Sequence, residues 1–460
     1  MADPLHLGPV VGEVTDTSAR IVVQAAVAGT VELTLYPDHG NPSRIRRDLA
    51  AEEIDAFVFE ALKPDTRYRL EVTVGGNAVP HRQGRVRTKQ ATPTSLHMAA
   101  VSCNFTTRQG ASRLWERLWH KWVEPGTVST VLHIGDQIYA DTTFGECLAD
   151  VRRNGKGAAV RRRCRRAFEK LYQLSWNYEA TRQVLAHTSN LMIWDDHELR
   201  NSWGGMREDR DPASAEFFVG LVAREVFQHL QRALWGDVDA AATHEGHAHA
   251  YGELGVLFLD QRTARSFSYT PQRPYLGVDQ WRWLREELRS GRLANARALV
   301  LVTSVPLCYV STFSSGNFDW MISDLRDHWT HPDHRTELIE MLVEIRRWLD
   351  RDPGRTVLVV GGDVHVGGKT QVLRPSGNDW VPMCTQLITS PITNAPPGFL
   401  TWFGLRELLL RGVHQAGEHF RFDHDESSFT NRRNFAVLTL RSEAGAPAVI
   451  HGSLECDADD

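Results

Sequence analysis

Four short polar clusters stand out because each directly follows an apolar run of strand length and contains groups that bind metals or move protons. The clusters are Ser102-Cys103-Asn104, Gly135-Asp136-Gln137-Ile138-Tyr139, Trp194-Asp195-Asp196-His197-Glu198 and Gly361-Gly362-Asp363-Val364-His365. An aspartate after a strand is often only a helix cap, but caps do not account for a set that also holds Cys, Tyr and His. Carboxylate and imidazole groups in this combination indicate a site for one or two metal ions.

These residue types fit the requirements of a two-metal hydrolase. Two neighbouring cations need a carboxylate that bridges them, separate ligands on each side, and an outer group that donates a proton. We expect Asp136, which follows a strand and a glycine, to be the bridge. Asp196 and Asp363 then suit one cation and His365 the other. His197, next to a predicted ligand, is placed for the phosphate or the leaving group.

Some of these residues have an alternative role. Cys103 could be a buried thiol that packs as a small apolar group, and Tyr139 could belong to the core. Asp195 is either a ligand or an acceptor that orients His197, and the second role is favoured.

Four further side chains have either a role at the site or a structural one. Asn201 and Arg262 are candidates for substrate contact or for structural hydrogen bonds. Trp203 and Trp329 are more typical of core or rim positions than of stacking platforms.

From residue 96 onward, apolar runs alternate with amphipathic segments, which predicts an α/β domain. Strands are expected at 96–102, 128–134, 190–195, 256–260, 298–304, 356–362, 385–390, 434–440 and 448–452, and helices near 111–122, 160–185, 214–235, 278–290 and 335–350. Ligands of open α/β sheets bind at the carboxyl ends of the strands, so the four clusters are expected to converge.

Residues 1–91 show short alternating runs separated by turns and no helical period, which predicts a small β-sandwich. The segment Leu62-Lys63-Pro64-Asp65-Thr66-Arg67-Tyr68 resembles the corner of fibronectin type III domains, where a Tyr hydroxyl bonds back to the backbone. Residues 89–95 are the expected linker. A packing or positioning role for the sandwich is favoured over independent ligand binding.

Composition and charge exclude several classes of protein. The 460 residues include 42% hydrophobic and 24% charged residues, which is ordinary for a globular chain. The net charge of −5 gives no general attraction to nucleic acid or anionic membranes. Six scattered cysteines favour a reducing compartment. Because the chain shows neither an apolar window of roughly 18 residues nor a signal-peptide pattern, we expect a soluble, cytoplasmic protein.

Two biased segments are interpreted as surface features. The run Arg161-Arg162-Arg163-Cys164-Arg165-Arg166 is favoured as a solvated helix face over a basic rim that attracts anionic substrate. The cluster His244-Glu245-Gly246-His247-Ala248-His249 is favoured as a surface loop over a metal site.

The ordered motifs GDQIYAD (135–141), WDDHELRNSW (194–203) and GGDVH (361–365), behind a β-sandwich, resemble the PhoD-like alkaline phosphatases of the calcineurin-like metallophosphatases. Further likenesses are LDQRTAR (259–265), Asp327-His328-Trp329 and QLITSPIT (386–393). The resemblance implies two facing mixed sheets flanked by helices over residues 96–460, a four-layer (αββα) metallophosphatase domain behind a fibronectin III or Ig-like sandwich.

The resemblance also implies roles for individual residues. Cys103, Asp136, Tyr139 and His365 would hold a ferric ion, and the bridging Asp136 with Asp196 and Asp363 would hold a second ion, calcium or another divalent cation. In the implied reaction a metal-bound hydroxide attacks a small phosphate ester while His197 assists the leaving oxygen.

Other functions and properties stay open at this stage. The same architecture could hydrolyse a phosphonate or an acyl ester, and a non-catalytic binding protein is a third possibility. Export is an alternative if a twin-Arg leader has been removed, and the oligomeric state is not predicted.

Overall fold

The N-terminal region consists of short strands in which buried and exposed residues alternate, as in β6, where every second residue is buried. The computed structural model describes residues 3–106, 112–266, 275–317, 323–398, 401–404, 406 and 414–458. The first strands are β1 (Leu5–Val14), β2 (Ala19–Ala25), β3 (Gly29–Pro37), β4 (Ser43–Leu49), β5 (Ile54–Phe59), β6 (Arg67–Val74), β7 (Asn77–Ala78) and β8 (Gly84–Arg87). They form an antiparallel sheet β1-β2-β5 and a second sheet β4-β3-β6-β7, with β8 also paired to β6.

Both N-terminal sheets contribute to a single apolar core, which includes Ile21 and Phe57 from the first sheet and Leu33 and Leu70 from the second. At one corner of this region the backbone N–H of Lys63 donates to the Tyr68 hydroxyl at 2.8 Å. The corner hydrogen bond predicted from the sequence is therefore confirmed.

The rest of the chain forms two mixed sheets. Their strands are β9 (Ser95–Val101), β10 (Thr130–Ile134), β11 (Ser189–Ile193), β12 (His247–Tyr251), β13 (Leu254–Leu259), β14 (Ala298–Thr303), β15 (Thr356–Gly361), β16 (Gly367–Ser376), β17 (Asp379–Ile388), β18 (His414–Ala416), β19 (Phe420–Thr430), β20 (Asn434–Arg441) and β21 (Val449–Cys456). One sheet has the order β11-β10-β9-β20-β21 and the other β12-β13-β14-β15-β17-β16-β19-β18. The pairs β9–β10, β10–β11, β13–β14, β14–β15 and β15–β17 are parallel.

Helices pack around these sheets. They are α1 (Ser112–Leu118), α2 (Asp141–Asn154), α3 (Ala158–Trp176), α4 (Glu179–His187), α5 (Ala215–Leu230), α6 (Val278–Arg289), α7 (Thr312–Asn317) and α8 (Arg335–Leu349). One core joins the facing sides of the two sheets, as shown by Leu132 and Val300, together with residues of α3 and α5. A second core joins α6 and α8 to the eight-stranded sheet, and a third joins α1 and α4 to the five-stranded sheet. Strands buried on both faces explain the continuous apolar runs of the sequence.

The structure differs from the sequence-based assignment in several elements. The helix expected at 160–185 is two helices, α3 and α4, separated at Asn177 and Tyr178. The surface loop expected at 244–249 is also wrong, because β12 begins at His247 and pairs with β13. The His247 ring stacks between Trp235 and Phe258 at centroid distances of 4.0 and 4.2 Å. Aromatic packing and strand pairing therefore outweighed the polar composition of this segment.

The N-terminal region packs closely on the larger one. A Cβ at Gly12 would lie 2.1 Å from the Leu234 carbonyl oxygen, so only glycine allows this approach of β1. Arg20 Nε donates to the Ala233 carbonyl at 3.1 Å. Nδ1 of His249 and a Glu13 carboxylate oxygen are 2.6 Å apart across the same contact. These contacts support the packing role predicted for the N-terminal region.

Most of the arginine run on α3 is neutralised by neighbouring acids. Its ion pairs are Arg161–Glu225, Arg163–Asp150, Arg165–Glu169, Arg165–Glu225 and Arg166–Glu52. The run is thus a helix face whose charges hold adjacent elements, which agrees with the favoured interpretation.

Candidate metal centre

The polar clusters of the sequence lie at the carboxyl ends of parallel strands. Cys103 follows β9, Asp136 follows β10, Asp195 and Asp196 follow β11, and Asp363 and His365 follow β15. Potential ligand atoms of these clusters lie within 4.8 Å of one another in groups of three or four. Two sheets that face each other across a core therefore bring together residues more than 200 positions apart in the chain.

The backbone at this edge is held in an unusual conformation. Cys103, Asp136, Asp363 and His365 have φ values of 55°, 56°, 62° and 55°. Non-glycine residues in the left-handed region cost of order 1–3 kcal/mol each, and such strain clusters at functional sites. The surrounding strands and loops must overcome this cost to hold the four side chains in place.

One half of the site combines a thiol, a phenol, an imidazole and a carboxylate. The Cys103 sulfur lies 3.4 Å from Asp136 Oδ2. The Tyr139 hydroxyl lies 3.3 Å from the same oxygen and 3.3 Å from Nε2 of His365. Burial, followed by the charge of Asp136, raises the pKa of Cys103 well above its usual value. Burial and the neighbouring Cys103 and Asp136 raise the pKa of Tyr139 in the same direction. A bound cation reverses this tendency, because a coordinated thiol loses its proton.

The other half of the site is a group of four carboxylates. Ligand oxygens of Asp136, Asp195, Asp196 and Asp363 all lie within 4.8 Å of one another. Among the described residues, Asp136 Oδ1, Asp195 Oδ2 and Asp196 Oδ1 are buried and have no hydrogen-bond donor. The guanidinium of Arg262 lies 3.5 Å from Asp196 Oδ1. Buried carboxylates without donors are costly, so the donor set fits a hard cation placed between them.

Burial is also the largest cause of the shifted pKa values in this group. It raises the pKa of Asp136 well above the usual aspartate range, and His197 offsets part of the effect while Asp195 and Asp196 add to it. Burial and the carboxylates of Asp195 and Asp196 likewise raise the pKa of Asp363. Mutual repulsion of like charges is the second indication that this cluster is built for a cation.

His197 lies between the carboxylate group and α2. Its Nδ1 is 2.7 Å from Asp141 Oδ2, and its ring packs on Tyr139 at a centroid distance of 4.3 Å. Because Asp141 occupies Nδ1, Nε2 is the nitrogen left for the site. Burial lowers the pKa of His197, whereas the carboxylates of Asp196, Asp136 and Asp141 raise it. Together the carboxylates have the larger effect, so the pKa lies well above its usual value. The imidazole can therefore carry a proton at neutral pH.

Comparison with known proteins identifies the family. The family model described as PhoD-like phosphatase matches residues 98–444. The chain belongs to the PhoD-like phosphatase family. Membership implies a metal-dependent phosphoric ester hydrolase.

A solved structure shares the fold of this PhoD-like chain. The structure titled "Structure of PhoD" matches with a TM-score of 0.70 and 15% sequence identity, covering 99% of this chain and 90% of that one. The Plasmodium inner-membrane-complex anchor GAP50 is also similar, with a TM-score of 0.33 and 11% identity over 79% of this chain and 90% of that one. No curated protein sequence matches the chain. In the part of the chain that the structure describes, we find no helix with the length and hydropathy needed to cross a bilayer.

Arg262 pairs with carboxylates of this PhoD-like site and with Asp327. Its side chain is fully buried. Its Nε donates to Asp195 Oδ1, and its NH1 donates to Asp327 Oδ2 at 2.7 Å. Arg262 therefore makes structural hydrogen bonds, and its role in substrate contact stays a prediction.

The orienting role favoured for Asp195 is wrong, because its carboxylate bonds to Arg262 and to Ser304 Oγ, the latter at 3.0 Å. Asp141, which the sequence analysis did not single out, contacts His197 instead. It also accepts a hydrogen bond from the backbone N–H of Asn201 at 2.8 Å. Asn201 is exposed beside this contact.

Trp203 and Trp329, expected at core or rim positions, belong to the core. Trp329 is fully buried. Trp203 is buried at 5% exposure, with its ring against Phe144 at a centroid distance of 5.6 Å.

Glu198 belongs to one of the predicted clusters, but the sequence analysis assigned it no role. Its buried carboxylate accepts backbone N–H groups of Asp136, Gln137 and Asp195 at 3.1, 2.7 and 2.8 Å. It therefore ties together the loops after β10 and β11. The spacing Asp195-x-x-Glu198 is a capping box, a signal that was present in the sequence.

Proposed function

We propose that the protein is a metallophosphoesterase of alkaline phosphatase or phosphodiesterase type that hydrolyses small phosphate esters at a dinuclear metal site. The observation that carries the proposal is the group of buried carboxylate oxygens without donors, next to a thiol, a phenol and an imidazole. Soft and anionic donors favour a transition metal, and a carboxylate-rich pocket favours a hard divalent ion.

Each ion has a different set of proposed ligands. Cys103, Tyr139, His365 and Asp136 would hold ferric iron. Asp136, Asp196 and Asp363 would hold calcium or another divalent cation. The free oxygen of Asp195 lies in the same carboxylate group. When bound, such ions supply Lewis-acid stabilisation of the charge on the phosphate oxygens.

The protein itself provides proton transfer and orientation. Asp141 holds Nδ1 of His197, so Nε2 presents the proton to the leaving oxygen of the ester. Asn201 is proposed as a substrate contact, because Asp141 anchors its backbone beside His197. Arg262 acts indirectly by fixing Asp195 and Asp196.

The proposal is tested by comparing an aryl phosphate, an aryl phosphonate and an aryl carboxylic ester on purified protein whose metal content is measured by elemental analysis. We expect phosphate hydrolysis that is lost with chelation. Hydrolysis of the phosphonate or the carboxylic ester alone would contradict it. So would protein that contains no metal as purified and still hydrolyses none of the three esters after metal ions are added.

The proton-donor role of His197 is tested with His197→Ala on two phosphate substrates. General acid catalysis is worth about 10²–10⁴-fold, and a poor alkyl leaving group needs it more than nitrophenolate does. The variant should therefore lose far more activity on the alkyl ester, with metal content unchanged. Equal losses on both substrates would instead indicate phosphate positioning. His120→Ala, at an exposed histidine paired with Glu124, is the matched control.

A further inference from the structure

The Cys103 sulfur lies in a fully buried environment that contains two serine hydroxyls. Ser390 Oγ is 3.0 Å from the sulfur, and Ser102 Oγ is 3.5 Å from it. Both serines and Cys103 are at most 1% exposed. A neutral thiol is only a weak hydrogen-bond acceptor, whereas bonds to an ionised acceptor are markedly stronger. Hydroxyl donors at this position are therefore suited to a thiolate.

The two hydroxyls differ in where their single proton goes. Ser102 Oγ lies 2.9 Å from the carbonyl oxygen of Thr389 and donates its proton there. Ser390 Oγ accepts the backbone N–H of His365 at 3.1 Å, so its own proton is left for the sulfur. Of the two, Ser390 is the donor to Cys103.

The position of Ser390 is fixed by the opposite sheet. Asn434, the first residue of β20, is fully buried. Its amide nitrogen donates to the Ser390 carbonyl at 2.7 Å, and its amide oxygen accepts the Ser390 N–H at 3.1 Å. The serine backbone is thus held from both sides, and the hydroxyl needs no rearrangement to reach the sulfur.

We propose that Ser390 is a positioning residue that tunes the metal bound by Cys103, donating a hydrogen bond to the thiolate while its oxygen accepts the N–H of His365. The inference rests on the proposed function, because it requires Cys103 to be a metal ligand. A donor to the thiolate withdraws electron density from the sulfur. It stabilises the anion and raises the energy of the sulfur-to-iron charge-transfer transition. Because the same hydroxyl contacts the backbone of His365, one side chain also sets the geometry of two proposed ligands.

The test is the visible spectrum of the iron-loaded full-length protein, recorded for wild type, Ser390→Ala and the matched control Ser102→Ala. To isolate the thiolate contribution, the same series is recorded in a Tyr139→Phe background. We expect Ser390→Ala to move the thiolate band to longer wavelength. We also expect it to weaken iron retention against a chelator by about 10–100-fold, the usual cost of losing an outer hydrogen-bond partner. Ser102→Ala should leave the band in place.

A second substitution keeps the test decisive if the alanine variant does not fold. Ser390→Gly also removes the hydroxyl and adds no atom beside the Cys103 sulfur, so its band should shift in the same direction as that of Ser390→Ala. An unshifted band in both Ser390 variants, or a shift in Ser102→Ala alone, would overturn the assignment of Ser390 while leaving the proposed function intact. Wild-type protein that binds no iron and hydrolyses no phosphate ester would overturn both.

Discussion

Two fully buried carboxylates in this molecule, Asp136 and Glu245, have opposite surroundings. Glu245 Oε1 accepts hydrogen bonds from Arg224 and Gln228, each at 2.8 Å, and its Oε2 accepts one from Arg232 at 2.8 Å. Asp136 Oδ1 has no donor among the described residues. Burial raises the pKa of both groups. At Glu245 the charge of Arg224 offsets part of the increase, and the pKa stays above its usual value. At Asp136 the charge of His197 offsets part of it, the carboxylates of Asp195 and Asp196 add to it, and the pKa lies well above its usual value.

The different surroundings of the two carboxylates distinguish a structural charge, that of Glu245, from a functional one, that of Asp136. A buried ion that the protein itself neutralises holds elements together, here α5 and the segment before β12. A buried ion that the protein leaves unneutralised costs stability unless something outside the chain compensates for it. Burial alone therefore does not identify the site, whereas several buried carboxylate oxygens without donors within 4.8 Å of one another do point to it.

The largest effect is expected from removing the charge of Asp136. Asp136→Asn keeps the shape of the side chain, and asparagine tolerates the left-handed backbone at this position. Activity on phosphate esters should be abolished and bound metal should fall, because the proposed bridge is lost. The metal-free variant should be more stable than metal-free wild type, since one of the repelling carboxylates is gone. Chemical denaturation of both proteins, each with and without metal, measures whether the effect of the substitution on the free energy of unfolding changes sign when metal is bound. Wild-type metal content and activity would contradict the bridging role.

The dependence of stability on pH is an independent test of the repulsion between these carboxylates. Because the folded-state pKa values of Asp136 and Asp363 are raised above the usual aspartate value, the folded protein binds more protons than the unfolded one between about pH 3.9 and those values. The metal-free protein should lose stability as the pH rises through this window and regain it as the pH falls. Metal-loaded protein should not show this trend, because the carboxylates are then held ionised.

A smaller effect is expected when the carboxylate of Glu245, which is paired with arginines, is replaced by an amide. Glu245→Gln removes the carboxylate that pairs with Arg224 and leaves Arg232 only Asp239, 4.0 Å away. The variant should lower the free energy of unfolding by about 2 kcal/mol, typical of a lost hydrogen bond to a charged group. The loss should be equal in metal-free and metal-loaded protein, with unchanged metal content and kcat. A stabilised metal-free variant, as expected for Asp136→Asn, would remove the distinction between the two carboxylates.

The sequence revealed the strand-end clusters because local pattern is sufficient to place an aspartate after a buried strand. It could not reveal Asp141 as the partner of His197, since that contact joins residues 56 positions apart. Ser390 is 287 positions from Cys103, and only the packing of the two sheets brings them together. Glu198 differs from Asp141 and Ser390, because the capping-box spacing from Asp195 to Glu198 is local and can be recognised in the sequence. For Arg262 the sequence suggested substrate contact as one role, but its guanidinium pairs with three buried acids, which the sequence pattern did not predict.

The smallest effect is expected at the arginine run on α3, which tests paired charges at the surface. Arg166 is 68% exposed in its side chain and lies 3.3 Å from Glu52. Arg166→Ala should therefore change the free energy of unfolding by less than about 1 kcal/mol, as for other exposed ion pairs. The value of kcat/KM for an anionic phosphate ester, and its dependence on salt, should also stay at the wild-type level, because the acids of neighbouring elements already neutralise most of the run.

If the run instead attracted substrate, Arg166→Ala combined with Arg162→Ala would lower kcat/KM at low ionic strength, and the loss would vanish near 0.1 M salt, where the Debye length is about 10 Å. Steady-state kinetics of the double variant over a salt series distinguishes these outcomes.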